Sequence, residues 1–152
     1  REEAAAYIKK YFQKFPGIQD YMEKYRAFGR EHGYVSTIFG RKIWLPQIKS
    51  SNGAERSFGE RQAINAPLQG SAADIIKRAM IRMPGALKAA GLKGKMLLQV
   101  HDELVFEAPE GEAKKLMEVA SNVMSRATLP VLELNVPLVM EAKAAKSWAE
   151  AH

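Results

Sequence analysis

The 152-residue chain is 47% hydrophobic and 26% charged, a balance that suits one globular domain of ordinary size and argues against intrinsic disorder. With no cysteine it has neither a disulfide framework nor a thiolate metal site, which is compatible with a reducing cytoplasm; its apolar runs fall far short of a membrane span, and no segment has a signal-peptide layout. The 23 Lys and Arg against 17 Asp and Glu leave a formal charge of +6, which favours a polyanionic partner because cations near phosphates release condensed counterions, although any basic protein shows the same excess.

The chain opens at Arg1 inside a helical pattern and without Met, so it is expected to be a piece of something longer. Residues 1–14 place Ala5, Ile8, Tyr11, Phe12 and Phe15 at helical spacing, with Glu2 and Glu3 suited to the positive end of a first turn. Pro16-Gly17 ends that helix. A second runs to about His32 on a stripe of Ile18, Tyr21, Met22, Tyr25 and Phe28, and Gly33 stands where a C-terminal cap belongs. "YVSTIFGRKIWLP" predicts two short strands around Gly40-Arg41, a hairpin with basic residues at its tip.

After the polar loop "KSSNGAERS", a helix is expected over 54–66, interrupted or kinked by Pro67, then a longer one from about Gly70 to Met83 closed by Pro84-Gly85. "LLQV" and "LVFEA" read as strands with Asp102 in the bend between them. "PEGEAKKLMEVASNVMSRA" reads as an amphipathic helix, and "VPLVMEAKAAKSW" is expected to contain a final strand. The whole is α+β, helices followed by a small antiparallel sheet.

Two stretches carry chemistry. In "QVHDELVFE", regular pairing would send Gln99, His101 and Glu103 to one face and leave Asp102 at the tip. A carboxylate there, backed by a sheet, is well placed to hold a hard divalent cation such as Mg²⁺, although Asp is also an ordinary turn residue. In "ERQAINAPLQGSAADIIKRAM", Arg61, Asn65 and Gln69 stand four apart, advance about 40° per step on a helix and share a face. Arg can grip a phosphate. Asn and Gln both donate and accept, so they can meet the minor-groove acceptors that every base pair presents; a solvated polar stripe is the plainer alternative.

Together these segments resemble the A family of DNA-dependent DNA polymerases, the bacterial DNA polymerase I type. "QVHDELVFE" looks like its motif C and "ERQAINAPLQGSAADIIKRAM" like the helix preceding it. "YFQKFPGIQDYM", "GYVSTIFGRKIWLP", "IKSSNGAERSFGER" and the final "WAEAH" resemble its other segments, in the same order. The resemblance implies a fold of palm with attached fingers helices, the last part of the fingers over 1–67 and the C-terminal palm over 68–152. It implies that Asp102 is one of two metal-binding aspartates, that Glu103 supports the metal site, and that His101 lies near the primer terminus. Arg61, Asn65 and Gln69 are implied to contact template and primer near the nascent base pair.

The implied reaction is attack by a primer 3′-hydroxyl on the α-phosphate of a dNTP, with two Mg²⁺ ions and release of pyrophosphate, in a bacterial, nucleoid-associated cytoplasmic enzyme of DNA replication and repair. The implied partners are primer-template DNA, dNTP through an upstream segment, and the rest of the polymerase chain; no membrane is involved. The sequence departs from the family in what it lacks. No strand of the "DYSQIELR" type supplies the other catalytic aspartate, so the isolated piece is expected to be inactive. A non-catalytic duplex-binding module is the alternative, and a metal-dependent phosphodiesterase centred on His101, Asp102 and Glu103 ranks last.

Other residues stand outside these patterns. Asp74 is expected to cap or pair near the start of its helix. Lys77, Arg78 and Arg82 form a basic patch facing solvent or phosphate. Tyr11, Phe12, Tyr21, Tyr25 and Phe28 are expected to pack rather than bind single strands, and His32 and His152 lack partners at metal-ligand spacing. Glu107 and Glu141 are candidates for lying near the turn, on neighbouring strands.

Overall fold

The structure, a computed structural model, describes residues 2–151; Arg1, the Glu2 side chain and His152 lie outside the described residues. The fold is α+β, mostly helical with two separate two-stranded antiparallel sheets. It divides after Ser71 into two compact units, residues 1–71 and 72–152.

In the first unit, α1 (Glu2–Lys14) and α2 (Pro16–His32) meet at Phe15. Gly33 closes α2 in the left-handed region at φ +76°, and its N–H donates to Gly29 O at 2.8 Å. Strands β1 (Tyr34–Ser36) and β2 (Lys42–Trp44) pair in the register Tyr34–Trp44, Val35–Ile43 and Ser36–Lys42. Thr37 Oγ1 accepts from the N–H groups of Phe39 and Arg41 and so holds the loop between them. A 3-10 turn, Pro46–Lys49, leads to α3 (Gly53–Ala89). Val35, Leu45, Ile48 and Ala63 form the core, with Tyr25, Phe28, Ile43 and Ala66 against it.

Tyr21 is half-buried and its O–H donates to Ile64 O at 2.9 Å; burial pushes its phenol above the ordinary value, and Tyr25 adds to this. The expectation of packing therefore holds for Tyr25 and Phe28 and fails for Tyr11, which is exposed. The reason is that α1 packs chiefly on α2, leaving Tyr7, Ile8, Tyr11 and Phe15 in water.

The continuity of α3 corrects the expected helix boundaries. Neither Pro67 nor Pro84-Gly85 ends it. A proline inside a helix costs about 3 kcal/mol relative to alanine, through the lost N–H and the ring's clash with the turn before it. Against that cost α3 buries Gly59, Ala63, Pro67 and Ser71 at four-residue spacing in the first unit, and Ala79, Met83 and Leu87 in the second. Met83 and Leu87 are the large apolar side chains in this series, and burying each contributes about 1.5–3 kcal/mol, of the same order as the cost of one proline. The Ser71 hydroxyl donates back to Pro67 O at 2.5 Å and accepts from Ile38 N at 3.0 Å, tying the hairpin to the proline turn. The helix stops at a different glycine: Gly91, at φ +70°, donates to Lys88 O and Leu92 donates to Leu87 O, a Schellman closure.

The second unit continues with β3 (Lys95–Val100), β4 (Glu103–Glu107) and, after a 3-10 turn, α4 (Ala113–Ser125). Met83, Leu87, Leu116 and Ala120 form its core, with Met96, Leu104 and Phe106 from the hairpin packed against them. Arg78 and Arg82 are not a free basic patch. Arg78 Nε donates to Ala127 O at 2.9 Å, and Arg82 donates to Arg126 O and Leu129 O at 3.1 and 2.5 Å, so cations hold carbonyls at the C-terminal end of α4.

The expected final strand is absent: residues 136–146 have no strand assignment, and Val136 and Val139 are 72% and 78% exposed. A strand needs a neighbour to take its backbone hydrogen bonds, and among the described residues none is offered there. A four-residue helix, α5 (Trp148–Ala151), follows.

Candidate metal and nucleic-acid site

Arg61, Asn65 and Gln69 are all exposed on α3 in the first unit. The buried series Gly59, Ala63 and Pro67 stands two positions before each of them, about 200° around the axis. Packing of one stripe therefore fixes the other outward. Arg41 Nη donates to Gly70 O at 3.1 Å beside the end of this stripe. A Cβ on Gly70 would meet Thr37 Cγ2 at 2.8 Å and Ile43 Cδ1 at 2.9 Å, so the hairpin seats against α3 only because that position is bare.

His101 and Asp102 form a two-residue turn in the second unit, between Val100 and Glu103, which are paired across the hairpin. His101 has φ +53°, the one non-glycine residue in the left-handed region among those described. Histidine tolerates that region better than bulky residues, though at a cost. The Gln99 side-chain amide donates to His101 O and braces the strained residue. The bracing role of Gln99 is the part that alternation along the strand does not reveal; its signal is an amide two residues before the turn.

His101, Asp102 and Glu103 are all exposed. The expected common face of Gln99, His101 and Glu103 is corrected by the register. Directly opposed residues share a face, so Glu103 sides with Val100, and Gln99 with Leu104. A bulge between Met96 and Leu98 shifts the alternation before it.

Glu107 pairs with Lys95 at the far end of the same hairpin, and Glu141 is exposed in the irregular segment. Asp74 lies in the interior of α3, not near a helix start, so the dipole argument does not apply to it. His32 stacks on Phe28 with ring centroids 4.1 Å apart.

Among the described residues, no group of three or more His, Asp and Glu is close enough together to hold a metal. Asp102 and Glu103 are nevertheless adjacent, exposed carboxylates, oxygen donors of the kind a hard divalent ion takes while keeping part of its water shell. The donor chemistry fits such an ion, with room for ligands from elsewhere.

The first unit thus carries an exposed polar stripe with its cation on α3, and the second a carboxylate-bearing tight turn on a hairpin. Comparison with known proteins fixes the class. Residues 1–150 match the model of DNA polymerase family A, and the chain belongs to that family. It is 57% identical to DNA polymerase I of Rhizobium leguminosarum, over 100% of this chain and 15% of that protein. It is 49% identical to DNA polymerase I of Pseudomonas aeruginosa, again over 100% of this chain and 16% of that protein. Among solved structures, the POL domain of Pol1 from M. smegmatis, in complex with DNA primer-template and dNTP, superposes with a TM-score of 0.92 at 45% identity, covering 99% of this chain and 26% of that one. The chain thus spans about one sixth of the curated relatives' length. Family members generally use a divalent metal.

Proposed function

We propose that the chain is the C-terminal part of the fingers (residues 1–67) and of the palm (residues 68–152) of a template-directed DNA polymerase, acting in a bacterial cytoplasm on nucleoid DNA. The observation that carries this reading is a pair of adjacent exposed carboxylates on a hairpin turn, in a chain matched to the family over residues 1–150. The reaction is transfer of a nucleotidyl group from dNTP to the primer 3′-hydroxyl, with pyrophosphate leaving.

In this reading Asp102 and Glu103 hold Mg²⁺, with Asp102 as direct ligand and Glu103 as its support. When bound, such ions neutralise charge building on the phosphate oxygens. Arg61 grips a backbone phosphate, and the amides of Asn65 and Gln69 address minor-groove acceptors, testing the shape of a pair rather than its sequence. His101 lies beside the primer terminus. Positioning and charge neutralisation supply most of the rate.

The rest of the polymerase chain is a required partner, contributing a second aspartate and the dNTP-binding helix, so the isolated 152 residues are inactive. Asp102→Ala in the full-length polymerase is expected to lower primer extension by about a thousandfold, from loss of several kcal/mol of charge stabilisation. Near-normal synthesis by that variant rejects the role. A second reading, a non-catalytic duplex-binding module, is supported for the isolated chain by the absence from its sequence of a strand of the "DYSQIELR" type with the other aspartate. Salt-dependent duplex binding without Mg²⁺-dependent turnover is its signature.

A further inference from the structure

The β1–β2 hairpin carries an aromatic and basic face that the stripe and the turn do not use. Its register puts Tyr34, Ser36, Lys42 and Trp44 on one face, while Val35 and Ile43 point to the core on the other. Tyr34 is the centre of this outer face. Trp44 meets it at 5.3 Å and 62°, and the Lys42 ammonium lies 4.5 Å from its ring centroid. Phe28 and His32 approach it edge-on at 5.6 and 6.0 Å. Trp44 itself is 67% exposed, although tryptophan is on average a well-buried side chain. None of the four outward residues is acidic; the nearby carboxylate is Glu31, 3.8 Å from His32 Nδ1. Arg41, exposed in the adjoining loop, adds a second cation.

We infer that this face is a stacking platform for an unpaired base of single-stranded DNA, with Trp44 taking the base and Lys42 and Arg41 the flanking phosphates. An open aromatic face framed by cations binds single strands with little regard to sequence, since every base has a π-face and every linkage a negative charge. Duplex DNA keeps its bases stacked on one another and has none to lay on Trp44. An apolar protein surface is disfavoured as the occupant, because covering Lys42 with it would bury an ammonium without a counter-charge. The inference rests on the polymerase reading and deepens it: the occupant is the unpaired template strand.

The test uses the full-length polymerase and two DNAs that share one duplex, primer-template with a 5′ template overhang and its blunt-ended counterpart. Trp44→Ala is expected to weaken binding of the overhang DNA by about 5- to 100-fold, the range for removing one stacked base, and to leave blunt duplex binding unchanged. Trp44→Phe, which keeps a ring, is expected to recover most of the loss. Lys42→Ala is expected to reduce the salt slope of overhang binding by about one. Equal loss on both DNAs, or no loss on the overhang DNA, overturns the platform while the polymerase reading stands. Failure of the unmodified polymerase to bind either DNA overturns both.

Discussion

Two glycines of one helix make opposite predictions for the same substitution. Gly59 and Gly85 both lie inside α3, where replacing glycine by alanine ordinarily stabilises by about 0.8–1 kcal/mol through helix propensity. At Gly85 nothing stands within 4 Å of the added methyl, so the full gain is expected. At Gly59 the methyl would sit 2.7 Å from both Cα and N of Ile48 and 3.0 Å from the carbonyl carbon of Gln47. Carbon atoms settle at about 3.5–4.0 Å, so the 3-10 turn must back away by about 1 Å. Those atoms are backbone and cannot escape by rotating a side chain. Overpacking costs about 1–3 kcal/mol, and a backbone clash belongs at the upper end, leaving a net loss of about 1–2 kcal/mol. Urea unfolding of each variant reads the sign directly, with the midpoint rising for Gly85→Ala and falling for Gly59→Ala. Equal stabilisation by both would show that the turn over Gly59 yields freely, and the close-approach reasoning would fail.

Two further predictions concern charge and strain. The Arg30 hydrogen bond, at 2.6 Å, holds the Glu60 carboxyl below the ordinary carboxylate range; burial opposes this, and the charges of Arg30, Arg26 and Arg56 add to it. A lowered folded-state pKa gives stability that is complete above the unfolded value and lost as pH falls through the folded one. Glu60→Gln is therefore expected to cost about 0.2–1 kcal/mol at neutral pH, as for a surface pair, and nothing in acid; a cost that persists in acid contradicts the ion pair. His101→Gly should relieve part of the roughly 1–2 kcal/mol carried by a left-handed L-residue, less what glycine gains in the unfolded chain. Its thermal midpoint is expected to hold or rise, while primer extension by the full-length variant falls. A lower midpoint would mean that the imidazole itself secures the turn.

The elements readable from the sequence were those with local causes. The cap at Gly33, the break at Pro16 and the bend at His101-Asp102 each follow from what a few neighbouring residues allow. Pro67 and Pro84 misled because their local penalty is offset by burial of Ala63, Ala79, Met83 and Leu87, which depends on distant chain. The strand expected around Val139 failed for the complementary reason, since alternation supplies a face but not a neighbour. Arg78 and Arg82 looked like a phosphate patch because their partners, the carbonyls after α4, lie more than forty residues away. Of the site, exposure of Arg61, Asn65 and Gln69 was legible from four-residue spacing. The parting of Gln99 from Glu103 was not, because it depends on which residues pair across the hairpin.

The irregularity at Leu97 works as a phase shift in the hairpin's side-chain rhythm. One surplus residue sends Leu98 and Val100 to the side opposite Met96, leaving the amide of Gln99 on the inner side, beside the carbonyl it steadies. The side that Gln99 takes is thereby set by a surplus residue that has no partner of its own on β4. Deleting Leu97 would remove the surplus residue and make the alternation even, with Leu98, Gln99 and Val100 still facing Val105, Leu104 and Glu103.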